Sequence, residues 1–330
     1  APGYSLEAMA ADPDLIDAAI TVAKESDVVV ICAGLPESYE VEGLDRDHLS
    51  LPENQNQLIK TLAAEHKRVV VVMSNGAPVE MPWIDSVGAV LEGYLGGQAG
   101  AGAIAGILFG RVNPSGKLAE TFPIRLEDNA SHHYFPGGPG TVEYRESLYV
   151  GYRYYDAVGQ EVLFPFGHGL SYTTFEYSDL QLSQSQITDT ETLTATVKVR
   201  NTGPVAGMET VQLYVRDVET TVFRPLKELK GFAKVSLQPG EEAEVAIELD
   251  RRAFAYYDTD LNDWHVEAGT FEILAGASSR DILLSASVEV TSTRRATVTP
   301  DSRGLAAYYD FPKGAPIDQK SFETLLGHPL

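Results

Sequence analysis

The first half of the chain alternates short runs of β-branched residues with segments of helical spacing. Apolar positions three and four residues apart predict helices over residues 15–24, 52–64 and 97–109. Runs such as DVVVICAG predict buried strands over residues 27–34, 68–74 and 88–92. Repeated strand and helix is typical of an α/β fold, an open, mostly parallel sheet covered by helices.

The second half changes to a period of two. Apolar and polar residues alternate over residues 192–200, 209–216, 242–249 and 270–275. Turn residues separate these runs, for example Asn201-Thr202-Gly203 and Gln238-Pro239-Gly240. Short strands with regular turn signals predict an all-β sandwich.

These changes of pattern predict three regions. An α/β domain covers residues 1–165, and the segment from Asp128 to Gly140, rich in Asn, Ser, His, Pro and Gly, is expected to be a long surface loop of that domain. A β-sandwich covers residues 166–291. Residues 292–330 have turn residues and few periodic apolar positions, which predicts an extended tail over a neighbouring surface.

The net charge argues against some partners. With 47 acidic and 25 basic residues, the formal charge is -22, whereas nucleic-acid binding needs a basic face. No run of about 18 uncharged apolar residues occurs, so we expect no membrane span. The first residues, APGYSLEAMAADPD, lack the pattern of a signal peptide, but the first residue is not Met. The cellular location therefore stays open, with the cytoplasm as the expectation.

Three features suggest cofactor or metal chemistry at first sight. The single cysteine, Cys32, forms no internal disulfide and is expected to be a small buried hydrophobe. His132 and His133 are neighbours without a third ligand at suitable spacing, so no metal is expected. The segment GGQAGAGAIAG fits neither phosphate-binding glycine pattern, so its glycines are expected to allow close helix packing and no nucleotide cofactor is expected.

Several blocks, in a fixed order, resemble glycoside hydrolase family 3, the β-glucosidase type. They are GLPESYEVEGLDRDHLSLPENQNQLI (34–59), SNGAPVEMPW (74–83), GYLGGQAGAGAIAGILFGRVNPSGKLAETFP (93–123), ESLYVGYRYYD (146–156) and FPFGHGLSYTTFEY (164–177). The resemblance implies an α/β sandwich domain followed by a fibronectin type III-like domain. It also implies a (β/α)8 barrel with a nucleophilic aspartate, which this sequence lacks. We expect that barrel on another chain or in a lost N-terminal part, and we expect the α/β domain to be incomplete at its N-terminus.

Retaining glycoside hydrolysis needs one carboxyl group as nucleophile and a second that protonates the departing oxygen. Five acids follow the first predicted strand within eleven residues: Glu37, Glu40, Glu42, Asp45 and Asp47. The carboxyl end of a strand in an open α/β sheet is where ligand sites form. By resemblance, the acid/base lies in this loop and is aligned with Glu40, with Glu42 as first and Glu37 as second alternate.

Other residues near these blocks are candidates for substrate binding: Tyr39, Asp45, Arg46 and Tyr134. Asp45 and Arg46 are also consistent with a local brace or the rim of a site. Tyr134, Phe135 and Tyr144 suit either a sugar-stacking surface or buried packing.

The resemblance implies an exo-acting enzyme that releases terminal β-D-glucosyl residues from β-glucosides or oligosaccharides. This chain would supply the general acid/base, the barrel would supply the nucleophile, and the chain alone would hydrolyse nothing. The alternative is a non-catalytic carbohydrate-binding or interaction scaffold. A nucleotide-dependent α/β enzyme is disfavoured by the glycine pattern, and a homo-oligomer stays possible.

Overall fold

A computed structural model describes residues 1–294 and 304–330 of the chain. The chain divides into two compact units. The first comprises residues 1–112 and 122–126, and the second comprises residues 113–121 and 127–330. In the described residues, no helix has the length and apolar character that a membrane crossing requires.

The first unit is built from alternating helices and strands. They are α1 (Pro13–Lys24), β1 (Val29–Gly34), α2 (Glu53–Glu65), β2 (Val69–Ser74), β3 (Ala89–Glu92), α3 (Gly100–Leu108) and the short β4 (Phe122–Pro123). Asp12 caps α1, because its carboxylate accepts from the amides of Asp14 and Leu15. Strands β1, β2 and β3 form a parallel sheet in that order. The predicted strands and helices are confirmed to within three residues at each end.

Strand β1 lies at the edge of this sheet, and only Ile31 and Ala33 on it are buried. The expectation that Cys32 is a small buried hydrophobe is wrong, because its side chain is exposed. Val30 is likewise 46% exposed. Sequence alone predicts a strand buried on both faces, but an open groove lined by the N-terminal residues, α1 and α2 runs along β1.

The carboxyl ends of the three parallel strands meet at one edge of the sheet. β1 ends at Gly34, β2 at Ser74 and β3 at Glu92, and Gly34 pairs with Ser74 in register. Residues that follow these strands are therefore brought together although they are far apart in sequence. The acidic loop predicted as a site starts at this edge.

The second unit contains most of the strands. Its elements are α4 (Tyr152–Ala157), β5 (Val162–Phe164), β6 (Phe175–Leu182), β7 (Gln186–Thr188), β8 (Leu193–Asn201), β9 (Gly207–Asp217), β10 (Glu228–Leu237), β11 (Glu242–Leu249), α5 (Arg251–Phe254), β12 (Tyr256–Asp258), β13 (Asp263–His265), β14 (Gly269–Gly276), β15 (Ile282–Thr291), α6 (Ala306–Tyr309) and α7 (Gln319–Leu326).

These strands form the predicted sandwich. One sheet has the order β10-β9-β14-β15-β7, and the other has the order β11-β8-β6. Inward-facing residues such as Leu193, Val197, Leu213 and Phe271 are fully buried and form one apolar cluster. The predicted fold class, an α/β sheet followed by an all-β sandwich, is therefore confirmed.

The period-two pattern located four strands of the sandwich and missed others, including β6, β7, β10 and β15. In β10 the alternation is interrupted where the register shifts between Leu229 and Gly231, opposite β9. Bulges of this kind hide a strand from a period-two search.

The segment from residue 304 to 330 is more ordered than the predicted extended tail, since it contains α6 and α7. Tyr308, Ile317 and Phe322 are buried in a cluster with Tyr149 and Tyr154. Of the predicted tail, residues 295–303 lie outside the described residues. The boundary at residue 165 stays a prediction.

Candidate functional site

The acidic loop joins β1 to α2. Pro36 starts a turn in which its carbonyl accepts from the amides of Tyr39 and Glu40, at 2.8 and 3.3 Å. The Tyr39 ring contacts the His48 ring edge-on, with 5.1 Å between the centroids. The two halves of the loop are thus held close by local contacts.

Glu40 is tied to the segment that follows β2. Its Oε1 atom accepts from the backbone N–H of Gly76 at 2.5 Å. A Cβ atom at position 76 would lie 3.0 Å from that oxygen and 3.2 Å from Leu95 Cδ1. The absence of a side chain at Gly76 therefore lets the carboxylate approach the backbone.

Two further contacts tie the later part of the loop to the same segment. Arg46 Nη2 donates to the Pro78 carbonyl at 2.9 Å, and the Glu80 amide donates to the Leu49 carbonyl at 2.8 Å. Burial lowers the pKa of the Arg46 guanidinium, while the nearby charge of Glu40 acts in the opposite direction. Arg46 Nη1 is buried and has no hydrogen-bond partner among the described residues.

Between these anchors, the tip of the loop is exposed to solvent. All five residues from Val41 to Asp45 are exposed, including Glu42 and Leu44. Gly43 has a φ of +82°, a conformation that favours glycine, and it turns the chain back at the tip. Glu37 is also exposed, on the turn before Glu40. The structure thus separates an anchored carboxylate, that of Glu40, from a carboxylate at the tip, that of Glu42.

Sequence reasoning missed the residues beneath this loop. Asn75 is fully buried, and its Nδ2 donates to the Ala77 carbonyl at 2.9 Å and to Glu92 Oε2 at 3.4 Å. Glu92 Oε1 accepts from the Tyr94 amide at 2.8 Å. The block SNGAPVEMPW contains Asn75 and Gly76, so the signal was present, but no role was assigned to it.

Tyr134, the fourth predicted substrate-binding residue, belongs to the second unit. Its hydroxyl group hydrogen-bonds with the backbone N–H and carbonyl of Ile317. The Arg145 guanidinium lies over the Tyr134 ring, 5.4 Å from its centroid. These contacts give Tyr134 a packing role, and its sugar-binding role stays a prediction.

The second unit also contains a buried ion pair. Arg224 Nη1 lies 3.1 Å from Asp217 Oδ2, and both side chains are less than 10% exposed. Burial raises the pKa of Asp217 to about 6, although the Arg224 charge lowers it and the Glu267 charge raises it further. With a pKa of about 6, this carboxyl group makes the stability of the sandwich depend on pH.

In the described ranges, 1–294 and 304–330, no three His, Cys, Asp or Glu side chains are grouped as a metal site would require. His132 and His133 contact each other edge-on, with 5.6 Å between their centroids. In the glycine-rich segment, Gly100 and Gly102 lie at the start of α3.

The fold and the loop define an α/β domain with a candidate ligand edge, followed by a β-sandwich. Comparison with known proteins agrees with this class of architecture. Residues 4–172 match the glycosyl hydrolase family 3 C-terminal domain, and residues 209–279 match the fibronectin type III-like domain. The chain belongs to glycoside hydrolase family 3, as the sequence blocks predicted.

Individual relatives support this assignment. The chain is 60% identical to thermostable beta-glucosidase B of Acetivibrio thermocellus over 291 residues, 88% of this chain and 38% of that protein. It is 47% identical to an exo-alpha-(1->6)-L-arabinopyranosidase of Bifidobacterium longum over 283 residues, 86% of this chain and 37% of that protein. The chain thus spans well under half the length of these curated relatives.

Solved structures show the same fold. A family 3 beta-glucosidase of Bifidobacterium adolescentis superimposes with a TM-score of 0.86 at 44% identity, over 95% of this chain and 46% of that chain. A beta-glucosidase of Kluyveromyces marxianus in complex with glucose superimposes with a TM-score of 0.80 at 41% identity, over 86% of this chain and 34% of that chain.

Proposed function

We propose that this chain is part of an exo-acting, retaining β-glucosidase, and that its acidic loop supplies the general acid/base. The nucleophilic aspartate would come from a (β/α)8 barrel, on another chain or in a further part of the same protein. The relatives support the reaction class, since three of the four named above are beta-glucosidases. Their greater length leaves room for a barrel.

The observation that carries the proposal is the exposed loop tip at the carboxyl edge of the sheet. A general acid has to reach an oxygen of a sugar held elsewhere, so its carboxyl group must project from its own domain. Glu42 lies on the exposed tip, and Glu37 lies on the exposed turn before it. Glu40, the first choice from sequence, follows that turn and is anchored at Gly76.

Proton donation by a side chain contributes about 10²–10⁴-fold to the rate, and this contribution matters most when the departing group is a poor one. We therefore expect Glu42→Gln to slow cellobiose hydrolysis by about a hundredfold or more. With an activated dinitrophenyl β-glucoside, the departing group needs no proton. The first step, in which the glucosyl group is transferred to the enzyme, should therefore stay near the wild-type rate.

The test uses the native protein, purified with every polypeptide that accompanies this chain. Pre-steady-state rates on the two substrates are compared for wild type, Glu37→Gln, Glu40→Gln and Glu42→Gln. Glu25→Gln is the matched control, since Glu25 is exposed at the end of α1. If none of the three loop variants affects either substrate, the loop is not the source of the acid/base. L-arabinopyranosides serve as a third substrate, because one relative is named for that activity.

A further inference from the structure

The loop has a regular arrangement of anchors that its acid/base role does not by itself require. Three contacts join it to the segment after β2: Glu40 to Gly76, Arg46 to Pro78, and Leu49 to Glu80. The order of the contacts is the same in both segments, so the loop lies alongside residues 76–80. All residues between the first two anchors, 41–45, are exposed.

From this arrangement we propose that Glu40 is a positioning residue: its contact with the Gly76 amide fixes the start of the tip and thereby the location of Glu42. This inference rests on the proposed function, because it presumes that the tip carries the acid/base. Glu40 then acts through Glu42 and does not itself touch the substrate.

The geometry at Glu40 supports an anchoring role. Its Oε1 atom accepts from the Gly76 N–H, and hydrogen bonds to an ionised carboxylate are stronger than those between neutral groups. The Arg46 guanidinium, whose charge interacts with that of Glu40, holds the other end of the tip at Pro78. Glu40 is therefore bonded to the segment after β2 at one end of the tip, and Arg46 is bonded to the same segment at the other end.

Gly76 is the second half of this anchor. Its backbone φ lies outside the left-handed region, so alanine is allowed by the backbone. The added Cβ atom would nevertheless come within 3.0 Å of Glu40 Oε1, closer than nine in ten real Cβ contacts, so the carboxylate would have to move. Gly76→Ala therefore displaces the anchor without removing any charged group.

Variants at position 40 separate anchoring from proton donation. A glutamine keeps an oxygen that accepts from the Gly76 N–H but cannot donate a carboxyl proton, whereas an alanine can do neither. If Glu40 is an anchor, Glu40→Gln should lose no more than about tenfold in kcat on cellobiose, and Glu40→Ala about a hundredfold. If Glu40 is the acid, both should lose about 10²–10⁴-fold.

The experiment is carried out on the native protein with its accompanying polypeptides. It measures kcat and KM on cellobiose for Glu37→Gln, Glu40→Gln, Glu40→Ala, Glu42→Gln and Gly76→Ala, with melting temperatures of all variants. Gly102→Ala is the matched control, because Gly102 has no atoms within 4 Å of an added Cβ and an ordinary φ. We expect Gly76→Ala to lower kcat more than it raises KM, and Gly102→Ala to leave both near wild type.

Three results would each refute a different part of the proposal. Equal losses for Glu40→Gln and Glu40→Ala, with wild-type rates for Glu42→Gln, would make Glu40 the acid and refute the anchor while leaving the loop as the acid source. Wild-type rates for all loop variants, including Glu37→Gln, would refute the proposed function itself. If Glu40→Ala has the wild-type kcat on cellobiose and Glu42→Gln has lost most of it, the positioning role alone is refuted.

Discussion

The stability of the segment 304–330 against local opening is predicted to depend on Arg145. Arg145 lies between two aromatic rings, 5.4 Å from the centroids of both Tyr134 and Phe322. Its Nη1 atom donates to the Ile317 carbonyl at 2.9 Å, and its Nε atom pairs with Glu143 at 2.6 Å. Phe322 and Ile317 belong to the C-terminal segment, so one guanidinium holds that segment through two of its residues.

The cost of Arg145→Met follows from these contacts. A hydrogen bond from a charged donor contributes about 1.5–3 kcal/mol, and each cation–π contact at a partly exposed site contributes about 0.5–1 kcal/mol. The ion pair with Glu143 adds little, because partly exposed pairs contribute about 0–1 kcal/mol. Methionine keeps much of the aliphatic packing, so we expect a loss of about 3 kcal/mol in the free energy of local opening.

Hydrogen exchange followed by mass spectrometry measures this loss directly. Since about 1.4 kcal/mol corresponds to a factor of ten, amides in α7 should exchange on the order of a hundredfold faster in the variant. Amides in β8 report on global unfolding and should be less affected. Arg200→Met, at an exposed position on β8, is the control. Wild-type exchange in α7 of the Arg145→Met variant would refute the reasoning.

Two more predictions concern the sandwich. Phe271→Ala should lower the free energy of unfolding by about 3–5 kcal/mol, because Phe271 is 0% exposed. The control is Phe232→Ala, at a position 68% exposed in the same sheet, which should cost less than about 0.5 kcal/mol. Equal losses for the two variants in urea denaturation would contradict this prediction. Folding raises the pKa of Asp217 from 3.8 to about 6, so its ionisation costs stability. The free energy of unfolding of wild type, minus that of Asp217→Asn, should therefore fall from about pH 4 to pH 6 and stay constant above that. If this difference rises over the same interval, the pKa of Asp217 is not raised by folding.

Local sequence pattern predicted the elements whose burial is regular. In β8, buried and partly exposed residues alternate from Leu193 to Val199, so a period-two search locates the strand closely. In β2, the run VVVV is buried through most of its length, as predicted for a central strand. These patterns depend only on the immediate environment of each residue, which explains why they can be read from the sequence.

Contacts between distant residues could not be predicted in this way. The bond between Glu40 and Gly76 joins residues 36 positions apart, and it exists because the parallel strands β1 and β2 end side by side. The exposure of Cys32 depends on which strand lies at the edge of the sheet, a property of strand order and not of local composition. Family resemblance brought attention to the acidic loop, but only the contacts distinguish its anchored carboxylate from the one at its tip.

The open edge of β1 has a practical consequence for anyone who produces this chain by itself. The Tyr4 hydroxyl and the Gln55 side-chain amide already satisfy backbone groups of Cys32 and Gly34, which partly protects the strand at its carboxyl end. Strand β1, with the sequence VVICAG, contains no charged residue or proline that would discourage pairing. Edge strands of this kind can pair with strands of other molecules. Concentrated preparations should consequently form aggregates that begin at this strand, and a lysine in place of Val30 is the change to try first.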